Sequence, residues 1–336
     1  MTLNPAPIVD LIDAFRRSKV LFVAMSFGIF DRLRGASASC AELAKELHAD
    51  PDALERLLDA CVGLELLAKQ DGVYTNAPIA DVYLWRESPQ TLSGYIRYSE
   101  TALYPLWANL GSAVREGNHQ WKRTFGAEGG SLFEHFFSTE ESKRDFLAGM
   151  NGFGILSSPS VVAAFDLSRF RRLVDLGGAT GHLPIAACER YPNLRGVVFD
   201  LPVVIPVACE YIAKSPASDR MEVIAGDFFS GDLPDADLFA LGRILHDWAE
   251  PKIHVLLRKI YDKLPEGGAL LIAEKILCDD KTGPTHVHLQ SLNMLICTEG
   301  KERTLPEYSQ LLKQAGFSSV EGKLTGKPVD AILALK

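Results

Sequence analysis

Beyond residue 172 the chain alternates short apolar runs with helical stretches, and this alternation limits the possible folds more than any other feature. The runs fall at 173–176, 197–199, 221–225, 238–245 and 269–273, with helical segments such as 252–264 between them. Parallel strands need a crossover long enough to hold a helix, and each interval supplies one. The pattern predicts an open, doubly wound α/β sheet. Runs at 320–324 and 329–335, joined through Gly326-Lys327-Pro328, read as a closing hairpin. Upstream, residues 95–165 read as mostly helical, broken at 126–130. The expected division is 1–95, a helical connector over 96–165, and the sheet domain over 166–336.

The first predicted strand runs into Asp175-Leu176-Gly177-Gly178-Ala179-Thr180-Gly181. Glycines there allow a tight strand-to-helix turn and let the backbone pass close to a ligand. A dinucleotide site can look similar, but its spacing is G-x-G-x-x-G. Here it is G-x-x-x-G after an acidic residue, so the helix start is not arranged for a pyrophosphate. Asp200 ends the second strand, where a carboxylate can accept both hydroxyls of a ribose. Asp227 and Phe228 end the third, where an adenine amino group and ring face can be read. S-adenosylmethionine (SAM) carries no phosphate but needs ribose, adenine and amino-acid recognition. The set fits SAM better than NAD.

His246 closes the fourth run, on the edge where open α/β sheets hold their ligands, and Asp247-Trp248 follow it. An imidazole of ordinary pKa, near 6.5, is neutral at pH 7 and can act as a base. Glu274 ends the fifth run, and Glu302 sits in Gly300-Lys301-Glu302-Arg303-Thr304. A surface ion pair of Glu302 with Lys301 or Arg303 is the competing reading for that carboxylate.

In order, the motifs are Val174-Asp-Leu-Gly-Gly-Ala-Thr-Gly181, Phe199-Asp-Leu-Pro202, Gly226-Asp-Phe-Phe229, Leu245-His-Asp-Trp248, Ala273-Glu274 and Gly300-Lys-Glu-Arg-Thr304. Together they resemble the SAM-dependent O-methyltransferases of the plant caffeate type and the animal acetylserotonin type, over nearly the whole chain. The resemblance implies a Rossmann-like methyltransferase sheet with an N-terminal winged-helix dimerisation domain, and hence a homodimer. It implies cofactor contacts at Gly177, Asp200, Asp227, Phe228 and Arg243, with S-adenosylhomocysteine (SAH) as product. His246, Asp247, Glu274 and Glu302 fall at catalytic positions, the two glutamates flanking the histidine. One position departs: relatives usually carry glycine where this chain has Ala179, and a methyl group there narrows the backbone approach.

The N-terminal region reads as helix, helix, hairpin. Residues 40–48 are amphipathic, and Asp50-Pro51 supplies a cap and a first-turn proline for a second helix over 51–67. Asp71-Gly72 marks the hairpin turn. This outline often binds DNA, so charge decides. Residues 1–100 hold 10 Lys+Arg against 14 Asp+Glu, and the whole chain has a formal charge of −8. Such a surface repels phosphates, so no nucleic-acid partner is expected. The apolar helix over 8–30 is expected to pack against a second copy.

The longest nearly apolar stretch, residues 20–30, is far shorter than the roughly 20 residues a membrane span needs, so no membrane partner is expected. No basic segment followed by an apolar core opens the chain, so no signal peptide is expected. The 6 cysteines form no C-x-x-C pair, which points to reduced thiols in a cytoplasmic protein, with no zinc site and no disulfide framework.

For the methyl acceptor, residues 291–304 and 113–126 resemble the acetylserotonin-type enzymes. Asn293 matches a residue that contacts the indole substrate there. Cys297 stands where the animal enzyme has glutamine, and a thiol cannot replace an amide as donor and acceptor. A small aromatic hydroxyl is therefore the expected acceptor, with Asn293, Cys297 and Phe153 lining its site. Tyr104, Trp107, Phe133 and Phe137 either wall the same pocket or serve as core. The alternatives are a nitrogen or carbon acceptor on the same fold, SAM used without methyl transfer, and a non-catalytic regulator that senses SAM.

Overall fold

The computed structural model describes residues 3–126 and 132–336. The chain divides into two units, Met1–Ala102 and Leu103–Lys336. The helical connector is thus shared between them, with most of it in the second.

The first unit opens with helix Ala6–Ser26, followed by the short helix Ile29–Arg32. Sequence periodicity suggests one helix over 8–30, but the chain breaks at Gly28, whose φ of 67° is left-handed. Helix Cys40–Leu47 starts with a reciprocal cap, in which Glu42 accepts the Ser39 N–H at 2.7 Å and Ser39 Oγ accepts the Glu42 N–H at 3.3 Å. Asp50 caps helix Pro51–Gly63 by accepting the Ala53 N–H at 2.8 Å. That helix ends at Gly63 and not at residue 67. Glu65 turns left-handed at φ 60°, and Leu67 already begins the hairpin. Strands Leu67–Gln70 and Val73–Asn76 pair antiparallel around Asp71 and Gly72, both at positive φ, as a tight hairpin turn requires. Phe22, Ile29, Phe30, Leu43, Leu58 and Tyr74 form the core. Ile8, Leu11, Ile12 and Phe15 on the first helix stay 54–74% exposed.

In the second unit, short helices lead to helix Glu140–Ala164. Gly126 ends helix Trp121–Phe125 in a left-handed conformation, and the rest of the expected break, at 127–130, lies outside the described residues. Helix Glu140–Ala164 has 25 residues and is apolar enough to cross a membrane by length and composition, yet half of its most apolar stretch is buried within the protein. It packs on helix His182–Arg190 as a core helix does.

The large sheet consists of β1 Arg172–Leu176, β2 Arg195–Asp200, β3 Met221–Ala225, β4 Leu238–Gly242, β5 Ala269–Glu274, β6 Ser319–Lys323 and β7 Asp330–Leu335. Their order is β6-β7-β5-β4-β1-β2-β3. β1 to β5 run parallel to one another, while β7 pairs antiparallel to both β5 and β6 as the expected closing hairpin. β5 is buried at every position, which explains its unbroken apolar run. Its neighbours divide between the two faces: Val174, Leu176, Phe239 and Leu241 join one core, and Leu173, Leu238 and Ala240 the other.

Strand order reverses direction between β1 and β4, and open sheets hold ligands in the crevice beyond such a switch point. Two strand ends differ from the sequence expectation. β4 stops at Gly242 and not at residue 245, because Arg243 turns left-handed at φ 58°. β3 stops at Ala225, two residues short of Asp227.

Candidate active site

The loop after β1 and the loop after β4 meet at the switch point. Gly177 has φ 71°, and a Cβ there would lie 2.6 Å from Ile244 Cδ1 and 3.4 Å from Phe228 Cε1. A side chain there would be strained by the left-handed φ and would displace Ile244, so glycine lets the backbone lie close to both residues. Asp200, at the end of β2, accepts the Ala179 N–H at 2.8 Å through one oxygen and the Leu201 N–H at 2.7 Å through the other. Each oxygen keeps a lone pair, and a ribose diol needs those two acceptors. Burial pushes this carboxyl up to about 6, against the two backbone hydrogen bonds. Asp227 is occupied locally, accepting from the Phe229 N–H at 2.8 Å and the Ser230 hydroxyl at 2.9 Å. Gly177, Phe228 and Asp200 thus suit a nucleoside with a free ribose.

Ala179 takes φ 49°, a conformation that costs an L-residue roughly 1–2 kcal/mol. The loop keeps its turn despite the methyl group, because the Ala179 N–H is held by Asp200. Asp175, at the head of the loop, is buried, and one of its oxygens has no hydrogen-bond partner. Burial, with the nearby Asp200, holds its carboxyl well above the ordinary range.

His246 lies on a short 3-10 turn, Leu245–Asp247, and not at a strand end. The left-handed Arg243 sets up this turn. Its N–H still donates to Ala273 at 3.0 Å, and the chain then leaves the sheet. Glu274 secures the turn by accepting the N–H groups of Ile244 and Leu245, each at 2.9 Å, through one oxygen. Its other oxygen is 3.3 Å from His246 Nδ1, and Glu302 Oε1 lies 2.7 Å from the same nitrogen. Asp247 Oδ1 is 3.7 Å from Nε2. Glu302 therefore pairs with the histidine and not with its neighbours: Lys301 reaches Glu250 at 3.5 Å, and Arg303 donates to backbone carbonyls.

This environment overturns the expectation of an ordinary imidazole. Burial pulls the His246 pKa down, but Glu274, Glu302 and Asp247 outweigh it and push it up to about 9. The three carboxylates therefore favour the charged form of the ring, against its burial. The carboxyls of Glu274 and Asp247 are raised, by burial first, with His246 opposing the rise. His246, Glu274 and Glu302 offer atoms within 4.8 Å of one another, which in kind is a metal-ligand set. Both carboxylates converge on one ring nitrogen, His246 Nδ1.

A backbone bridge fixes the separation of the two glutamates. Residues Ile276–Leu277, just past β5, pair in parallel with Arg303–Thr304, just past Glu302. Arg303 is fully buried and donates to Leu245 O at 3.2 Å, which ties the histidine turn to the Glu302 loop. Gly300 packs so closely on the His246 carbonyl that a Cβ would overlap it.

On helix Thr285–Cys297, Asn293 Oδ1 accepts the Trp107 indole N–H at 2.9 Å. An indole can only donate, so the amide orientation is set and its NH2 group remains as a donor. Cys297 is buried, 3.8 Å from the same oxygen, and burial pushes its thiol far up. Phe153 lies under the Arg243 guanidinium at 4.5 Å, which joins a predicted cofactor residue to a predicted acceptor residue. Phe133 stacks on Trp248 at 6.2 Å and Phe137 packs on Phe146, whereas Tyr104 is 40% exposed. Sequence reading missed Arg303, Gly300 and the role of Trp107. Arg303 and Gly300 sat inside a quoted motif, and Trp107 was read as pocket wall or core, but its bond to Asn293 gave no signal, since that partner is 186 positions away.

Comparison with known proteins follows the same lines. The O-methyltransferase domain family matches residues 107–318, and the O-methyltransferase dimerisation domain matches residues 9–86. Acetylserotonin O-methyltransferase of Gallus gallus is 41% identical, over 99% of this chain and 97% of that protein. The Bos taurus enzyme of the same name is 39% identical, over 97% and 96%. Human N-acetylserotonin methyltransferase, solved in complex with SAM, has a TM-score of 0.93 at 37% identity, covering 98% of this chain and 97% of that one. PigF with SAH has a TM-score of 0.90 at 32% identity, covering 99% and 100%. SAM is therefore the methyl donor, and the chain belongs to the O-methyltransferase family, its catalytic domain preceded by the family's dimerisation domain.

Proposed function

We propose that the chain methylates the hydroxyl group of a small aromatic acceptor, with His246 as general base. The observation that carries this reading is a buried imidazole with two carboxylates on Nδ1, so that in the neutral ring Nε2 is the nitrogen that can take a proton. SAM supplies a methyl group on a sulfonium, already a good leaving group, so the protein's work is alignment and proton removal. Asp200 would hold the ribose, Phe228 and Asp227 the adenine, and the Gly177 backbone the amino-acid portion, with Arg243 beside them.

A phenol of pKa near 10 is about 0.1% ionised at pH 7, and full ionisation is worth roughly 4 kcal/mol. Neutral His246 takes the phenolic proton as the oxygen–carbon bond forms and the carbon–sulfur bond breaks. Glu302 and Glu274 stabilise the resulting imidazolium. Asn293 offers its NH2 group to a polar substituent of the acceptor, and Cys297 leaves that wall without an amide. The names of the relatives support a hydroxyindole-like or phenolic ring.

His246→Gln should lower kcat about 10²–10⁴-fold, the usual worth of a positioned base, while SAH affinity stays within a factor of two. The assay is methyl transfer from labelled SAM to a panel of phenols and hydroxyindoles. Near-normal turnover by the folded variant would refute the base.

We also infer a homodimer formed through the first unit, whose opening helix exposes Ile8, Leu11, Ile12 and Phe15. Light scattering should give twice the 36.8 kDa chain mass, and a monomer at micromolar concentration would contradict it.

A further inference from the structure

Lys275 follows Glu274 at the ligand edge of the sheet and is only 8% exposed. A buried ammonium carries three donors and is costly unless they are satisfied. Among the described residues, the contact it makes is with the Phe153 ring, 5.4 Å from Nζ to the centroid. The Arg243 guanidinium lies 4.5 Å from the centroid of that same ring. Two cations therefore share one aromatic ring, that of a candidate acceptor residue, and Arg243 repels Lys275.

The carboxylates that attract Lys275 are Glu302 and Asp330, and both are committed elsewhere. Glu302 pairs with His246 at 2.7 Å. Asp330 accepts the N–H groups of Ile276 at 3.2 Å and Thr325 at 2.9 Å. Like charges gathered in a buried place call for an anion between or beside them. Sequence reading passed over this lysine because an isolated Lys after a strand reads as a solvated end.

We propose that Lys275, at the Phe153 ring, binds a carboxylate of the methyl acceptor, which would then be a hydroxylated aromatic acid. The inference rests on the methyl-transfer reading of His246.

The test compares the wild type with Lys275→Met and Lys275→Arg, all checked for folding by thermal melts. Calorimetry measures SAH binding, and then binding of a hydroxybenzoate and of its methyl ester to the SAH complex. If the carboxylate belongs to the acceptor, the wild type binds the acid at least tenfold tighter than the ester. Lys275→Met erases that preference, Lys275→Arg keeps most of it, and SAH affinity is unchanged. A Lys275→Met protein that loses SAH affinity tenfold while its acid-to-ester ratio stays as in the wild type would overturn the proposal, since the lysine would then serve the cofactor. A folded Lys275→Met protein with unchanged SAH affinity and unchanged acid-to-ester ratio would overturn the proposal. Because these are binding measurements, an acid that binds but is never methylated counts against the reading of His246 and leaves the anion site standing.

Discussion

Replacing Glu302 by glutamine separates a carboxylate that tunes the base from one that only props up the fold. In the wild type the imidazole pKa stands at about 9. At pH 7 that leaves about 1% of the enzyme with a neutral base, a cost of roughly 2.7 kcal/mol at about 1.36 per unit. kcat/KM for a phenolic acceptor should then climb close to tenfold per pH unit and level off near pH 9. Glu302 Oε1 sits 2.7 Å from Nδ1, closer than any other carboxylate oxygen in the cluster. An opposite charge at such range moves a pKa by about 1–3 units, so Glu302→Gln should bring the break down to between about 6 and 8. The plateau should fall as well, because a weaker base removes the proton less readily. The two effects oppose each other below pH 9, so the variant loses least at the acid end of the profile and most at pH 9 and above. The assay is a pH profile of methyl transfer from labelled SAM between pH 5.5 and 9.5, with the acceptor's own ionisation near 10 measured separately. A break that stays near 9 in a folded variant would refute the reasoning, since Glu302 would then carry no electrostatic weight on His246.

Cofactor affinity should depend on Asp200, whose carboxyl is raised to about 6. Ribose hydroxyls favour the ionised form, so SAH should bind about tenfold more weakly at pH 5 than at pH 7, and Asp200→Asn should bind weakly at both. Calorimetry giving one affinity across that range in the wild type would count against the ribose contact. Ala179→Gly should relieve a left-handed φ of 49° and stabilise the protein by about 1 kcal/mol, or roughly 2–4 °C in Tm for a domain of this size. An unchanged or lower Tm would show that the methyl group repays its strain through packing.

Much of this was legible before any coordinates. The parallel strands announced themselves as apolar runs because both faces of β5 are covered, and the closing hairpin and capped Pro51 helix followed from local chemistry. Asp200 and Glu274 could be assigned to strand ends because an apolar run stops at each. What escaped depended on single backbone angles or on distant partners. Gly28 breaks a helix whose periodicity runs straight through it, and Arg243 ends β4 early although apolar residues continue to Leu245. The protonation of His246 could not be read from its own surroundings in sequence. Its pKa is a sum over Glu274, Glu302 and Asp247, and the two glutamates arrive from other elements. Arg303 read as a surface ion-pair partner of Glu302 and Lys275 drew no reading at all, because the burial of both is decided by the fold around them.

The short parallel bridge between Ile276–Leu277 and Arg303–Thr304 has a meaning for ancestry and engineering. It fastens the proton-handling groups to one another by main-chain hydrogen bonds, which no side-chain replacement can edit. Asn293 and Cys297 ride on a different element, helix Thr285–Cys297, moored through the indole of Trp107. A lineage can therefore exchange one acceptor for another by altering that helix while inheriting its acid–base apparatus intact. A designer can treat the two as separate modules, recutting the glove without touching the hand.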